Sequence, residues 1–275
     1  MEDSFGDRMK FFEGMESDRR FLPYLPICAR LDGKCFSSYT KGLKRPYDKR
    51  FSETMIEVTK LLVQETNACI GYTESDEISI CWYSDSYKSE IWFGGRIQKM
   101  NSILASMTTS YFTSFASGSI PEKRGRFPLF DCRVWQLPTL VEATNVFLWR
   151  ELDATKNAIS MAARCYYSHK ELNKKSGNEM QEMLFKKGIN FNDYPSFFKR
   201  GTFVQRQTKI RKFTQSELIS LPEKHEARKN PDLMVERREV VALDMPKFST
   251  VVNKIGVIFK GEEPLVVKEN NGSSN

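Results

Sequence analysis

Apolar and polar residues fall into blocks along the first half of the chain, and the spacing within each block separates strands from helices. Ile27–Leu31 is a short, mainly apolar run bounded by Asp32-Gly33, the pattern of a buried strand. A basic, Gly- and Pro-punctuated loop follows over Lys34–Pro46. Phe51, Met55, Val58 and Leu62 then recur at three- and four-residue intervals, as one buried helical face requires, with Asp48 as a candidate N-cap. The apolar runs Ala68–Thr73 and Ile78–Tyr83 flank the acidic turn Glu74-Ser75-Asp76-Glu77 and read as a hairpin. Past Gly94-Gly95, the positions Ile97, Met100, Leu104, Met107 and Tyr111 mark a second helix. A Gly/Pro-rich loop over Gly118–Pro128 leads to an alternating strand, Asp131–Leu137.

This order, strand–helix–strand–strand–helix–strand, is that of a split βαβ or ferredoxin-like unit and predicts an α+β fold. The second half is less regular. A third helix is predicted over Asn145–Tyr167, with Leu148, Leu152, Ile159 and Tyr166 on one face. Its other face carries Arg150, Asp153, Asn157 and Arg164 and reads on pattern alone as solvated. Ser176–Phe185 reads as helix and Gly188–Pro195 as turns. Phe197–Val204 interleaves aromatic and basic residues, continued by Arg206, Lys209, Arg211 and Lys212; the strip suits phosphate contacts and base stacking, or equally a strand with a basic face. Gln215–Asn230 reads as a polar surface excursion. Val235–Leu243 and Val251–Lys260 are expected to form two strands folding back on the body, and Glu269–Asn275 a disordered tail. Phe5–Tyr24 is charged and interrupted, with a helix over Met9–Met15. The expected divisions are an N-terminal segment 1–26, a catalytic core 27–140, a helical and basic part 141–212 and a C-terminal extension 213–275.

Composition narrows the chemistry. The 275 residues carry 42 Lys+Arg against 35 Asp+Glu, a net +7 and a pI near 9.0, a mild bias toward a polyanionic partner. Cys28, Cys35, Cys69, Cys81, Cys132 and Cys165 form no CxxC pair, and most lie in apolar runs, as reduced thiols of a cytoplasmic protein would. With His169 and His225 as the only histidines, a histidine-rich metal site is excluded. No apolar run reaches membrane-spanning length, so no membrane partner is expected.

The acidic turn is the candidate site. Carboxylates this close repel one another unless a cation lies between them. The split βαβ topology brings Asp32, at the end of the first strand, beside Asp76. Two such carboxylates would hold a hard divalent ion such as Mg²⁺, with substrate phosphates completing the shell; a solvated acidic turn is the alternative.

The sequence resembles the tRNA(His) guanylyltransferase family at Arg30-Leu31-Asp32-Gly33-Lys34-Cys35-Phe36, at Arg45-Pro46-Tyr47-Asp48 and at Gly71-Tyr72-Thr73-Glu74-Ser75-Asp76-Glu77. It continues at Arg96–Lys99, Asp131-Cys132-Arg133, Trp149-Arg150–Asp153–Asn157 and Lys199-Arg200-Gly201-Thr202. The region Val235–Lys260 is similar to bacterial-type members. The resemblance implies a polymerase-palm catalytic core that adds nucleotides in the 3′→5′ direction to the 5′ end of a tRNA. ATP would activate the 5′-phosphate and GTP would be the added nucleotide. It implies Asp32, Asp76 and Glu77 as catalytic residues and two Mg²⁺ ions held by Asp32, Asp76 and the Gly33 carbonyl. Nucleotides would be bound by Asp32, Gly33, Lys34, Cys35, Phe36, Ser37, Arg45, Asp48, Ser75 and Asp76. Phosphate and tRNA contacts would come from Arg96, Lys99, Arg133, Arg150, Asn157, Lys199 and Arg200, and the family is typically tetrameric. Thr155-Lys156-Asn157-Ala158 stands where eukaryotic members have His-Ile-Asn-Asn, so the resemblance points to tRNA 5′-end repair. Two other readings share parts of the pattern. A nucleotide cyclase would need the carboxylate pair without the basic strip, and an RRM-like RNA-binding module would need aromatics on its middle strands.

Overall fold

In the computed structural model, which describes residues 4–86, 89–230 and 232–266, a six-stranded sheet carries helices on both faces. In chain order the elements are α1 (Ser4–Ser17), β1 (Ile27–Lys34), α2 (Phe36–Tyr39), α3 (Lys49–Thr66), β2 (Ile70–Glu74), β3 (Glu77–Trp82), α4 (Ile97–Ser119) and β4 (Leu129–Gln136). They continue with α5 (Leu140–Ala163), α6 (His169–Leu172), α7 (Gly177–Phe185), α8 (Ser196–Arg200), β5 (Thr202–Lys212), α9 (Gln215–Ser220), α10 (Glu226–Lys229), β6 (Met234–Ala242) and α11 (Lys254–Lys260). The strand order is β4-β1-β3-β2-β5-β6, and every neighbouring pair is antiparallel.

Alternation along β1 and β3 sets the two faces. Ile27, Ala29, Leu31, Ile78 and Ile80 are wholly buried under α3 and α4, while Cys28, Tyr72 and Cys81 point to the opposite face, under α5 and α11. Each buried Ile or Leu contributes about 1.5–3 kcal/mol. A one-residue slip of β3 would put Glu77 and Ser79 into the α3/α4 core, so the register is fixed with Asp32 opposite Glu77. The helix begins where Asp48 accepts from the Arg50 amide, and at its other end Asn67 turns left-handed (φ 54°).

Several expectations need correction. Val251–Lys260 does not form a strand: one bridge, Val251 to Val266, precedes the helix α11, which Gly261 ends in a left-handed conformation. Its Val and Ile residues look β-prone, but Val257 and Ile258 pack as one helical face against α5. Phe197–Val204 is divided between α8 and β5 at Gly201 (φ 72°), where a Cβ would lie 2.6 Å from the Thr73 carbonyl oxygen. Gln215–Asn230 holds two short helices, and the expected loop at Gly118–Pro128 starts inside α4. The expected third helix, α5, ends at Ala163, short of Tyr166 (48% exposed); Leu152 of the expected apolar face is 51% exposed, while Arg150 of the expected solvated face is buried. Glu269–Asn275 lies outside the described residues.

Candidate active site

The hairpin loop between β2 and β3 is only two residues, Ser75 and Asp76, because Glu74 and Glu77 still pair across it. Ser75 sits at φ 48°, an unusual left-handed conformation for a residue with a side chain. The turn is locked to the end of β1 by a hydrogen bond from the Gly33 amide to the Asp76 carbonyl (3.1 Å). Gly33 is required there, because a Cβ would stand 2.3 Å from the Phe36 ring. Asp32 and Asp76 therefore line one cavity of about 390 Å³, as the sequence pattern predicts.

Charge in this cavity is lopsided. Its lining includes the carboxyls of Asp32, Glu74, Asp76, Glu77 and Asp153 against the guanidiniums of Arg150 and Arg164. Arg150 is spoken for. Its Nε donates to Glu77 Oε1 (2.5 Å), its Nη2 to Asp153 (3.1 Å), and Glu74 lies 3.7 Å away. Arg30 approaches the other Glu77 oxygen at 3.8 Å. By contrast, neither Asp32 nor Asp76 has an ion-pair partner among the described residues. Burial holds the Asp76 carboxyl above its ordinary range; the Ser75 hydroxyl (3.0 Å) pulls it back, and the neighbouring Asp32 charge adds to the rise. Burial also pushes Glu74 up to about 8, with the Glu77 charge reinforcing it and Arg150 opposing it.

Whether the site fits Mg²⁺ turns on these oxygens. No group of three or more His, Cys, Asp or Glu side chains is placed to hold a metal among the described residues, and Glu77 is engaged by Arg150 and Arg30. The remaining pair offers hard oxygen donors with no ion-pair partner among the described residues. It suits an ion that binds through one or two carboxylates and takes its other ligands from water and phosphate.

A second cavity, about 420 Å³, adjoins the first and shares Glu74, Ser75, Asp76, Met161 and Arg164 with it. Ser37, Lys44, Arg45, Tyr47 and Phe197 line it, a volume and lining suited to one nucleotide. Asp48 reaches its wall, but Arg50 and the backbone hold that carboxyl down at about 2, and it serves as the α3 cap. Phe36 also lines this cavity from its place in the core, 3% exposed, while Lys34 and Cys35 are exposed and not among its lining residues.

The expected phosphate contacts divide. Asn157 lines the carboxylate cavity, its amide 3.4 Å from Asp153. Arg200 lies 3.9 Å from Glu151, Lys199 bonds the Asn192 carbonyl, and the exposed Arg133 pairs with Asp131 at 3.2 Å. Arg96 and Lys99 are not brought to the carboxylates. They start α4, where the chain pairs with Arg19–Phe21 near the opposite end of β1, and Lys99 lies over the Phe93 ring. Glu74, Tyr47, Trp149 and Arg164 are noted in the sequence without being assigned a role as site residues. Glu74 had a signal, since strand alternation puts it on the same face as Tyr72, beneath α5.

An antiparallel sheet whose strand ends carry an unpaired carboxylate couple beside a nucleotide-sized cavity defines a class of phosphate-handling α+β proteins. The sequence matches the tRNAHis guanylyltransferase (Thg1) family over residues 6–138. It is 30% identical over 207 residues to the tRNA(His) guanylyltransferase of Saccharomyces cerevisiae, covering 69% of this chain and 86% of that protein. The fold is similar to a bacterial tRNA(His) guanylyltransferase (Thg1)-like protein in complex with ATP, with a TM-score of 0.70 and 38% identity over 74% of this chain and 88% of that one. The corresponding complex with GTP gives 0.69 and 30% over 90% of this chain and 94% of that one. This chain belongs to the tRNA(His) guanylyltransferase family. An RRM-like module does not fit, because α5 covers the sheet face that such a module leaves open for RNA, and Tyr72 and Phe203 are buried beneath it. No helix among the described residues is long and apolar enough to cross a membrane.

Proposed function

We propose that this protein is a nucleotidyltransferase that adds nucleotides in the 3′→5′ direction to the 5′ end of a tRNA, with ATP and GTP as substrates. The observation that carries the reading is the Asp32–Asp76 couple, which has no ion-pair partner among the described residues and whose Asp76 also lines the adjoining nucleotide-sized cavity. We read β1–α3–β2–β3–α4–β4 as a polymerase-palm, ferredoxin-like core, supported by the strand order β4-β1-β3-β2.

Asp32, Asp76 and the Gly33 carbonyl would hold Mg²⁺. When bound, the metal neutralises phosphate charge and aligns attacking and leaving oxygens. The protein's own residues bind and orient. Lys44, Arg45 and Arg164 face the cavity where a triphosphate would lie, and Tyr47 and Phe197, packed edge-on at 5.2 Å, present aromatic surface for a base. Arg150 fixes Glu77 and with it the turn, so Glu77 supports the couple from behind. In the first step the tRNA 5′-phosphate displaces pyrophosphate from ATP; in the second, the GTP 3′-hydroxyl attacks the activated end and AMP leaves.

The repair variant of this activity is favoured on α5. Thr155 spends its hydroxyl on the Glu151 carbonyl at 3.0 Å, and Ala158 is buried at the cavity wall, so neither offers a polar group to a particular tRNA. Specificity then falls to base pairing across the acceptor stem. Assembly into a homotetramer is supported by α1, which buries no residue and exposes Phe5, Phe11, Phe12 and Met15. The free thiols agree with a cytoplasmic location.

The test is nucleotide addition to 5′-monophosphorylated tRNAs lacking their first nucleotide, with and without ATP and Mg²⁺, read by sequencing the 5′ ends. ATP- and Mg²⁺-dependent addition is expected on several tRNAs, with the preference moving from GTP to UTP when the opposing base changes from C to A. Absence of addition under all conditions would overturn the activity. GTP addition to tRNA(His) alone, whatever the opposing base, would overturn only the repair assignment.

A further inference from the structure

Trp149 has no part in either cavity, yet it stands beside the carboxylates. It precedes Arg150 on α5 and is 50% exposed, so about half of its surface is open to a ligand. Arg150 and Arg30 hold it, their guanidinium carbons 4.5 and 5.5 Å from its ring. Both cations are themselves oriented by Glu77, at 2.5 and 3.8 Å, so the indole is pinned before any ligand arrives. Arg30 also keeps a buried Nε without a hydrogen-bond partner among the described residues.

We propose that Trp149 is the stacking platform for the 5′-terminal base of the RNA end that is extended, an assignment that rests on the function proposed above. Arg30 and Asp32 occupy alternate positions on the same face of β1, about 7 Å apart along the strand. A base on the indole therefore leaves its own 5′-phosphate within reach of Asp32. The free nucleotide is excluded from this role, because the cavity that suits it is lined by Tyr47 and Phe197 and does not include Trp149. Arg133, the register partner of Arg30 on β4, is half exposed and supplies positive charge for the backbone of the same RNA end. A rigid aromatic face beside one exposed guanidinium, that of Arg133, is a composition that binds an RNA base without reading its identity, which suits an enzyme that takes its sequence information from the opposite strand.

The experiment measures binding of a 5′-monophosphorylated acceptor-stem duplex whose 5′-terminal residue is either normal or abasic. Wild type, Trp149→Phe and Trp149→Ala are compared, with GTP binding and melting temperature recorded for each. Wild type should lose about five- to 100-fold in affinity when the base is removed. Trp149→Ala should show that loss already on the normal duplex and no further loss on the abasic one, Trp149→Phe should keep most of the affinity, and GTP binding should stay unchanged. Independent, additive losses would overturn the proposal, as would a Phe variant no better than Ala, or a Trp149→Ala variant weakened toward GTP instead. Failure of wild type to bind either duplex would remove the RNA-substrate reading itself, and the stacking assignment with it.

Discussion

Glu74 and Asp76 lie two residues apart and both are pushed above the ordinary carboxyl range by burial, but they answer to different neighbours. Glu74 faces Glu77 and Asp153 with one shared guanidinium among the three, so one proton is best kept there. Its carboxyl is neutral in the fold at pH values where it would ionise in the unfolded chain. The stability this contributes is fully present below about pH 4.5 and is lost as the pH rises through about 8. Glu74→Gln should therefore flatten the fall in melting temperature between about pH 5 and 9. Parallel curves for wild type and variant would show that Glu74 does not titrate in that window. Asp32 and Asp76 were legible in the sequence because each ends an apolar run at a Gly or Ser turn, and the predicted topology joins those ends. The roles of Glu74 and Trp149 were not: Glu74 stands in the same acidic turn, but its burial beside Arg150 depends on a helix distant in sequence, and Trp149 gains a role only once Arg30 and Arg150 are placed against it.

The element that changes most between sequence and structure is α5. Long polar side chains at helical spacing look solvated, yet burial of Arg150 follows from partners on another element, which spacing along the helix does not contain. Arg150 ties α5 to the hairpin that carries Asp76. Replacing it with Met leaves buried Glu77 without its hydrogen-bonded partner and with Arg30 at 3.8 Å, at a cost of up to about 3–5 kcal/mol. The Arg150→Met/Glu77→Gln double variant should recover part of that loss, because the unpaired charge is removed as well. Denaturant titration of the two variants checks this; equal stabilities would mean that the ion pair does not hold the hairpin. The C-terminal extension shows the same limit. β6 was readable from its alternation, whereas α11 required knowing that Val257 and Ile258 share a buried face.

Across the whole molecule the net charge of +7 points to an anionic partner, but not every basic residue of the strip is available to it. Arg211 is engaged by Glu217 and Glu239 at 2.7 and 2.5 Å, while Lys209, on the same strand, is exposed. Lys209→Gln should flatten the log–log salt dependence of tRNA affinity by about one unit if that side chain meets a phosphate, and Arg211→Gln should lower stability instead. Unchanged slopes would make the strip a solvated face. The fold around the site follows from alternation along β1–β3 and the two helical faces that cover them, and it brings Asp32 and Asp76 to one cavity. The most direct measurement is nucleotide addition by Asp32→Asn and Asp76→Asn, with melting curves recorded with and without Mg²⁺. Each variant should lose more than about 100-fold in addition, and its melting temperature without metal should hold or rise as the repulsion is relieved. Mg²⁺ should stabilise wild type only. Addition retained within about tenfold of wild type by either folded variant would contradict the paired-carboxylate site.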